Sequence, residues 1–197
     1  MIISAVRVLE LNEKYGLVEN LGDRDRENPE GAGLDLRVGE VHRLLSGSFL
    51  PADDTGKKRY SPETELVGDI ETDGHKRITM KPGEYYLVTT METIHSPKEK
   101  VDIGHGFPPA YLMPVVFPRS SLQRGGVSLH ATKTDPGYKG QLTFGLKNLG
   151  NQDFEFELGA RMFNVVFEPV FGKIERAYSG QHQGGRVTSG GEEEVQT

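Results

Sequence analysis

The sequence predicts a mainly β protein with few short helices, built as a barrel, jelly roll or sandwich. Short strand-like runs recur at short intervals, and turn residues separate them. The 25 glycines and 11 prolines are spread along the 197 residues rather than pooled, as expected for many turns. All-β folds of this length often form one unit. We therefore expect a single β domain over residues 1–178 and a flexible Gly-rich tail over residues 179–197.

The first part of the chain carries three predicted elements and one excursion. Weak helical spacing of apolar residues predicts a short helix within residues 1–20, and the polar, proline-containing run 23–30 predicts a surface loop. Alternating apolar and polar residues over 31–39 predict a strand. Residues 51–77 are charged and rich in turn residues. We interpret them as an excursion from the core rather than a linker, because strand signals resume on both sides.

The strongest strand signals lie in the remainder of the chain. Apolar runs bounded by turn residues occur at 78–80, 84–90, 111–117, 126–131, 140–148, 154–158 and 162–170. The sequence has no internal repeat that would indicate a solenoid or propeller. The runs therefore favour a single sheet that closes on itself or a pair of packed sheets.

Composition excludes several classes of function. The net charge of −6 disfavours a general nucleic-acid or anionic-membrane surface, and the absence of cysteine excludes a thiol nucleophile and cysteine-ligated metals. The six histidines lack metal-ligand spacing, so no protein-held metal is predicted. No basic segment precedes an apolar core at the N-terminus, and no apolar run is long enough to span a membrane. We therefore expect a cytoplasmic protein.

Three segments beside predicted strands could carry chemistry. Arg119 and Arg124 flank two serines, a pattern that predicts anion binding or, with similar weight, a cap with surface arginines. Asp135 and Tyr138 belong to an Asp-Pro-Gly-Tyr string, which is more commonly an ordinary hairpin turn. Asp35 lies between apolar residues of a strand, where an aspartate is usually a cap or turn residue. Each signal is weak by itself.

Together and in this order, the segments resemble the motifs of the trimeric dUTPase and dCTP deaminase superfamily. The stretches that resemble its first four motifs are Gly-Ala-Gly-Leu-Asp-Leu-Arg at 31–37, Arg-Ser-Ser-Leu-Gln-Arg at 119–124, Asp-Pro-Gly-Tyr-Lys-Gly at 135–140, and residues 159–170. The second has the form seen in the deaminase branch and in bifunctional archaeal members. Residues 178–184 are similar to a drifted deaminase ending. The resemblance implies the dUTPase-like fold, a distorted β-barrel or jelly roll.

One departure bears on the choice between the two branches. In the deaminases, the strand after the third motif carries a glutamate that moves protons between water and the cytosine ring, whereas here the corresponding residue is Gly145. Losing a general acid or base costs roughly 10²–10⁴-fold in rate, and the dUTPase branch has an apolar residue at this place. We therefore expect a dUTP diphosphatase that forms dUMP and pyrophosphate. The alternatives are a dCTP deaminase, including a bifunctional dUMP-forming one, and a non-catalytic nucleotide-binding homologue.

The resemblance also implies roles for individual residues. Asp135 would orient or deprotonate the attacking water, Asp35 would help to hold that water or the hydrated metal, and Tyr138 would pack under the deoxyribose. The residues implied in substrate binding are Arg119, Ser120, Ser121, Arg124, Tyr138, Asn164 and Gln183. Backbone groups of the 131–140 hairpin would contact the uracil edge, and the tail would close as a lid.

The expected ligands and assembly follow from the same resemblance. The substrate would be a deoxyribonucleoside triphosphate, with no nucleic-acid or membrane partner. Mg²⁺ would be held mainly by the phosphates and water, because it prefers octahedral oxygen coordination and few protein ligands. Family members are trimers with sites between subunits, so we expect a homotrimer.

Overall fold

A computed structural model describes residues 1–52 and 55–195 of the chain. It confirms the mainly β prediction: an antiparallel sheet forms a nearly closed barrel, and a separate two-stranded sheet accompanies it. The elements in chain order are α1 (Ala5–Tyr15), β1 (Val18–Glu19), α2 (Asp23–Glu27), β2 (Leu34–Leu44), β3 (Thr64–Asp69), α3 (Ile70–Asp73), β4 (Arg77–Met80), β5 (Tyr85–His95), β6 (Tyr111–Pro118), α4 (Ser120–Arg124), β7 (Val127–His130), β8 (Lys139–Asn148), β9 (Phe154–Glu157) and β10 (Arg161–Val170).

The large sheet follows the order β6-β10-β2-β5-β8-β7, with β1 attached to β5 and β3 attached to β2. β4 and β9 pair with each other, and all of these pairings are antiparallel. Every strand run predicted from residue 78 onward coincides with one of these strands, and the strand predicted within 31–39 begins β2. Most neighbouring strands are distant in sequence, so the sheet is held together by long-range pairing.

The core lies inside the barrel and is filled by one face of the central strands. Side chains of β5 alternate between buried and partly exposed along much of the strand, as expected where one face packs on a core. Phe144 of β8 and Phe163 of β10 meet with ring centroids 4.8 Å apart. Phe163 is fully buried, so this aromatic pair connects strands from different parts of the sheet.

The helix predicted within residues 1–20 is confirmed as α1. It begins after Ser4, whose hydroxyl accepts a hydrogen bond from the Arg7 N–H at 3.3 Å, and it ends at Gly16, which has a φ of 60°. A left-handed residue at this position is a common helix C-cap. Val8 and Leu11 face the core. None of the helices in the two described ranges is long and apolar enough to cross a membrane.

The prediction of a surface loop over residues 23–30 is wrong for its first half, which forms α2. The cause is tertiary: the Asp25 side chain is 1% exposed and accepts hydrogen bonds from Arg24 Nη1 at 2.9 Å and from the Asp35 backbone N–H at 3.3 Å. A short polar helix is marginal by itself. Here the buried carboxylate attaches it to β2.

The interpretation of residues 51–77 as an excursion holds only in part. The segment contains all of β3, which pairs with the second half of β2, and the short helix α3. The described residues before β3 are largely irregular, although Phe49 and Tyr60 form an isolated antiparallel bridge. The charged composition conceals a strand because β3 is mostly exposed or partly exposed, with only Gly68 buried.

The tail, residues 179–195 of the described chain, lies along the barrel. At its start, the Tyr178 N–H donates to the Pro136 carbonyl at 2.7 Å. Near its end, Glu194 pairs with Arg59 at 3.0 Å. The tail thus runs from the β7–β8 turn to the irregular part of the excursion. That it is flexible and closes over a ligand stays a prediction.

Candidate functional site

The predicted site residues fall into two groups on different parts of the sheet. Asp35, Arg119 and Asn164 meet where β2, β10 and the corner between β6 and α4 come together. Asp135 and Tyr138 lie in the turn between β7 and β8. In the described residues, no hydrogen bond or ion pair joins Asp35, Arg119 or Asn164 to Asp135 or Tyr138.

The first group is the Asp35 cluster, which consists of Asp35, Arg119, Arg161 and Asn164. The Asp35 side chain is nearly buried, and its carboxylate accepts from Arg161 Nη1 at 3.1 Å and from Asn164 Nδ2 at 3.0 Å. Arg119 Nε lies 3.3 Å from the same carboxylate. The guanidinium of Arg24 lies 4.0 Å from this carboxylate and is paired with Asp25 and Glu30. Arg119 and Arg161 share the one Asp35 carboxylate. Both arginine side chains are about one-third exposed, at 34% and 36%, so their free donors can reach an anion in solvent.

Strand register fixes this geometry. Asn164 of β10 is paired directly with Asp35 of β2, and cross-strand neighbours lie close enough for their side chains to meet. Gly33 makes room for the amide, because a Cβ at that position would lie 1.9 Å from Asn164 Oδ1. The glycine in the first motif is therefore needed for the Asn164–Asp35 hydrogen bond.

The remaining residues of the second motif lie beside Arg119. Ser120 and Ser121 form the first turn of α4 and are exposed, and Arg124 is exposed at its end. The buried side chain of Leu122 anchors the short helix. The hydroxyls are therefore accessible next to the Asp35 cluster, whereas among the described residues Arg124 forms no hydrogen bond or ion pair with it.

The second group is built on a tight turn. The Tyr138 N–H donates to the Asp135 carbonyl at 3.1 Å, and Gly137 has a φ of 104°, the left-handed value that this turn requires and that glycine accepts without strain. The hairpin-turn interpretation is thus correct, and the turn also presents a carboxylate. The Asp135 side chain is 49% exposed and pairs with the Lys133 ammonium.

A cavity of about 530 Å³ lies beside this turn. Its ionisable lining groups are the side chains of Tyr85, His130, Lys133, Asp135, Tyr138, Tyr178, His182 and Arg186. Asp135 is the one carboxylate that lines this cavity among the described residues, whereas Lys133 and Arg186 are cationic. The cavity therefore suits a ligand that combines a ring with negative charge.

Tyr138 supplies a flat wall of the cavity. Burial, followed by the charge of Tyr178, raises the pKa of Tyr138 to about 12, so its phenol stays protonated at neutral pH. The two tyrosine rings meet edge to face with centroids 5.6 Å apart. This arrangement holds the Tyr138 ring in one orientation, as a packing surface for a ligand requires.

Gln183 connects the tail to the same turn. Its side-chain amide donates to the Gly137 carbonyl at 3.0 Å and accepts from the Lys139 N–H at 3.3 Å. The backbone of Gly184 also donates to Lys139 at 2.9 Å. Gln183 therefore contacts the backbone beside Asp135, where it holds the tail against the turn.

Gly145 lines the cavity. By the sequence resemblance, it stands where the deaminases have their proton-transferring glutamate. The place of the missing side chain is filled, because a Cβ on Gly145 would lie 1.9 Å from the Tyr85 hydroxyl oxygen and 2.6 Å from Tyr85 Cζ. Sequence reasoning identified the glycine but missed the tyrosine.

Several site residues were missed for one reason. Arg161, Lys133, Tyr85 and Arg186 carry no motif-like spacing of their own, and each reaches its place through sheet register or tail packing. Arg161 had the best available signal, since it lies within the stretch that resembles the fourth motif.

Comparison with known proteins agrees with the fold and the motifs. A family model described as dCTP deaminase-like matches residues 2–170. A dCTP deaminase from Halorubrum lacusprofundi is 32% identical over 185 residues, covering 90% of this chain and 82% of that protein. A protein named "Probable deoxyuridine 5′-triphosphate nucleotidohydrolase" from Methanothermobacter thermautotrophicus is 31% identical over 167 residues, covering 85% of this chain and 95% of that protein.

A solved structure shares the fold. The 2′-deoxycytidine 5′-triphosphate deaminase of Agrobacterium tumefaciens superposes with a TM-score of 0.58 at 18% identity, over 84% of this chain and 47% of that protein. The barrel and its motifs thus define a protein of the dUTPase and dCTP deaminase superfamily. Within it, the chain belongs to the dCTP deaminase-like family.

The Asp35 cluster generates a stability prediction. Asp35→Ala leaves the guanidiniums of Arg119 and Arg161 without their shared acceptor, so the free energy of unfolding should fall by about 2 kcal/mol, less than for a fully buried pair because both arginines are partly exposed. Urea denaturation of the purified variant measures the change. Glu65→Ala, which breaks an exposed pair with Arg43, serves as the control and should leave stability nearly unchanged. Equal stability of Asp35→Ala and the wild type would contradict the assignment.

Proposed function

We propose that the protein is a dUTP diphosphatase that hydrolyses dUTP to dUMP and pyrophosphate. The observation that carries the proposal is that the Tyr85 side chain fills the space beside Gly145. A deaminase needs an acid at that strand position, and here the Tyr85 hydroxyl occupies the space that any side chain at 145 would need. Asp135 is the one carboxylate lining the cavity in the described part of the chain, and hydrolysis at phosphorus requires one positioned base rather than a proton shuttle to the ring.

We further propose that a homotrimer completes the site. The Asp35 cluster and the accessible Ser120 and Ser121 hydroxyls suit a triphosphate, while the cavity beside Asp135 suits a nucleoside. Within the described part of one chain, no hydrogen bond or ion pair joins the two groups. Association of identical subunits would bring the cluster of one subunit to the cavity of another, as the resemblance to trimeric enzymes implies.

In the proposed reaction, a water oxygen attacks the α-phosphorus. The water gives a proton to the Asp135 carboxylate, the new P–O bond forms, and the bond from the α-phosphorus to the bridging oxygen breaks. Pyrophosphate leaves with that oxygen and its electron pair. The Lys133 ammonium holds the Asp135 carboxylate in position, and Arg119 stabilises the charge on the phosphates. The Asp35 carboxylate is already bonded to Arg161 and Asn164 and paired with Arg119. Its role in this proposal is therefore to align Arg119 rather than to contact the attacking water.

In this proposal, Mg²⁺ is bound by the phosphates of the substrate rather than by the protein. The carboxylate of Asp35 is occupied by guanidinium and amide donors, and that of Asp135 is paired with Lys133, so neither site offers the oxygen-rich set that Mg²⁺ prefers. The ion would enter bound to the triphosphate and water. The protein would then hold the phosphates.

The rigid ring of Tyr138 would pack under the deoxyribose and disfavour a 2′-hydroxyl. Gln183 would keep the tail beside the nucleotide, and Arg186 of the tail adds positive charge to the cavity. A tail in this place would exclude water other than the nucleophile.

The second candidate is dCTP deaminase activity, with or without subsequent formation of dUMP. Relatives favour it by name, since proteins from Halorubrum lacusprofundi and Pyrococcus horikoshii are called dCTP deaminase and one from Dictyoglomus thermophilum is called "dCTP deaminase, dUMP-forming". The dUTPase proposal ranks first because Gly145 removes the proton-transfer group that this chemistry needs.

Product analysis separates the two candidates. Purified protein is incubated with dUTP or dCTP in the presence of Mg²⁺, the nucleotides are resolved chromatographically, and ammonia is assayed. We expect dUMP and pyrophosphate from dUTP and no ammonia from dCTP. Ammonia release from dCTP at a rate comparable to dUTP turnover would overturn the proposal in favour of the deaminase.

Asp135 generates a catalytic prediction. Asp135→Asn keeps the shape of the side chain but removes its basicity, so kcat for dUTP should fall by roughly 10²-fold or more. Binding of a non-hydrolysable dUTP analogue should change little, because the phosphates are held by other groups. The matched control is Asp153→Asn on the exposed β8–β9 turn. Unchanged kcat in a folded Asp135→Asn protein would remove Asp135 from the mechanism.

The shared site generates a complementation prediction. Arg119→Ala and Asp135→Asn should each abolish most activity, yet trimers that contain both variants should recover some, because an intact cluster can face an intact cavity across an interface. In a cyclic trimer that contains both variants, one of the three sites joins an intact cluster to an intact cavity, so about one third of the sites should be restored. Differently tagged variants are co-expressed, purified through both tags and assayed with dUTP. Activity no higher than that of the separate variants would place the whole site within one subunit.

A further inference from the structure

Gly145 lines the cavity, and because it has no side chain it leaves a gap in the cavity wall. Strand register places it between Leu87 of β5 and His130 of β7. Tyr85 is two residues from Leu87, on the same face of β5, and its ring lies near the His130 ring with centroids 5.9 Å apart. The Tyr85 ring therefore reaches diagonally across β8 to lie above Gly145.

While the Tyr85 ring keeps this position, the contact leaves no room for a side chain at position 145. A Cβ there would lie 1.9 Å from the Tyr85 hydroxyl oxygen, far inside van der Waals contact. The phenol and the glycine are thus a complementary pair, and the hydroxyl replaces the missing side chain at the cavity wall.

We propose that Tyr85 determines base specificity: its hydroxyl, lodged over Gly145, donates a hydrogen bond to the 4-oxo group of a bound pyrimidine and thereby selects uracil-type over cytosine-type nucleotides. The proposal rests on the proposed function only in requiring that a pyrimidine nucleotide occupies this cavity. It adds a side-chain contact to the backbone contacts expected from the 131–140 hairpin.

The chemistry of the phenol supports this selection. Burial raises the pKa of Tyr85, so the hydroxyl stays protonated at neutral pH and keeps its proton to donate. A phenol donates more strongly than it accepts, because its oxygen lone pair is delocalised into the ring. The 4-oxo group of uracil accepts such a bond, whereas the 4-amino group of cytosine is a donor.

A cytosine amino group would find no unpaired carboxylate among the described residues that line the cavity, because the one carboxylate there, Asp135, is paired with Lys133. The His130 ring lies beside Tyr85, with centroids 5.9 Å apart, and contributes to the wall. A site that is built to hydrogen-bond one substituent discriminates against an analogue that leaves the bond unmade.

Binding of product nucleotides tests the proposal without any turnover. Dissociation constants of dUMP and dCMP are measured by calorimetry for the full-length wild type, Tyr85→Phe and Tyr86→Phe. We expect the wild type to prefer dUMP, and Tyr85→Phe to lower that preference by about fivefold, the value of one neutral hydrogen bond. Tyr86→Phe is the matched control. It removes the bond from the adjacent buried phenol to Glu84 and should leave the preference unchanged.

A second pair of variants tests the contact itself. Gly145→Ala should displace the Tyr85 ring and lower the dUMP preference as much as Tyr85→Phe does. The double variant Gly145→Ala/Tyr85→Phe should show no further loss, because both substitutions remove the same interaction. Additive losses would mean that Gly145 acts independently of Tyr85.

The outcomes separate failure of this proposal from failure of the proposed function. If the enzyme deaminates dCTP, the proposed function fails, yet the dUMP-to-dCMP ratio still reports on Tyr85. The proposal is overturned by an unchanged ratio in folded Tyr85→Phe, by a wild type without preference for dUMP, or by a wild type that binds neither nucleotide.

Discussion

The buried Asp35 carboxylate is the interaction on which the candidate phosphate-binding surface depends. It connects β2 to β10 through Asn164 and Arg161, and it connects both strands to the corner before α4 through Arg119. A carboxylate in such a place is tolerated because each oxygen has a donor. Arg119 and Arg161 share this carboxylate, so the arrangement stabilises the strand junction and keeps two partly exposed guanidiniums at the surface. In the proposed function, structural support and phosphate binding therefore depend on the same group.

The Asp135 turn uses a different physical principle. Here the backbone of a tight turn fixes the position of an exposed carboxylate, and the Gln183 side chain of the tail bonds the Gly137 carbonyl and the Lys139 N–H. Charge balance comes from Lys133. An exposed, singly paired carboxylate can accept a proton, whereas the saturated Asp35 is poorly placed to do so. The two aspartates thus have environments suited to different tasks.

Local pattern predicted the strands after residue 78, the first helix and the Asp-Pro-Gly turn, because each depends on side chains that are close in sequence. Helix α2 was missed because the buried contacts of Asp25 with Arg24 and β2 outweigh its polar composition. Tyr85 was missed for a related reason. Its ring meets Gly145 through the pairing of β5 with β8, and that register is absent from the local spacing of either strand.

The close fit between Tyr85 and Gly145 restricts how this sequence can diverge. A larger residue at 145 is incompatible with the present position of the phenol, so an acid could become established there only after residue 85 has become smaller or its ring has moved. In the reverse direction, a tyrosine could settle above position 145 only after that side chain had been lost. The two positions are therefore epistatic, and the order of substitution is constrained. This sequence would therefore acquire an acid at position 145 only through an intermediate in which the space above Gly145 is open.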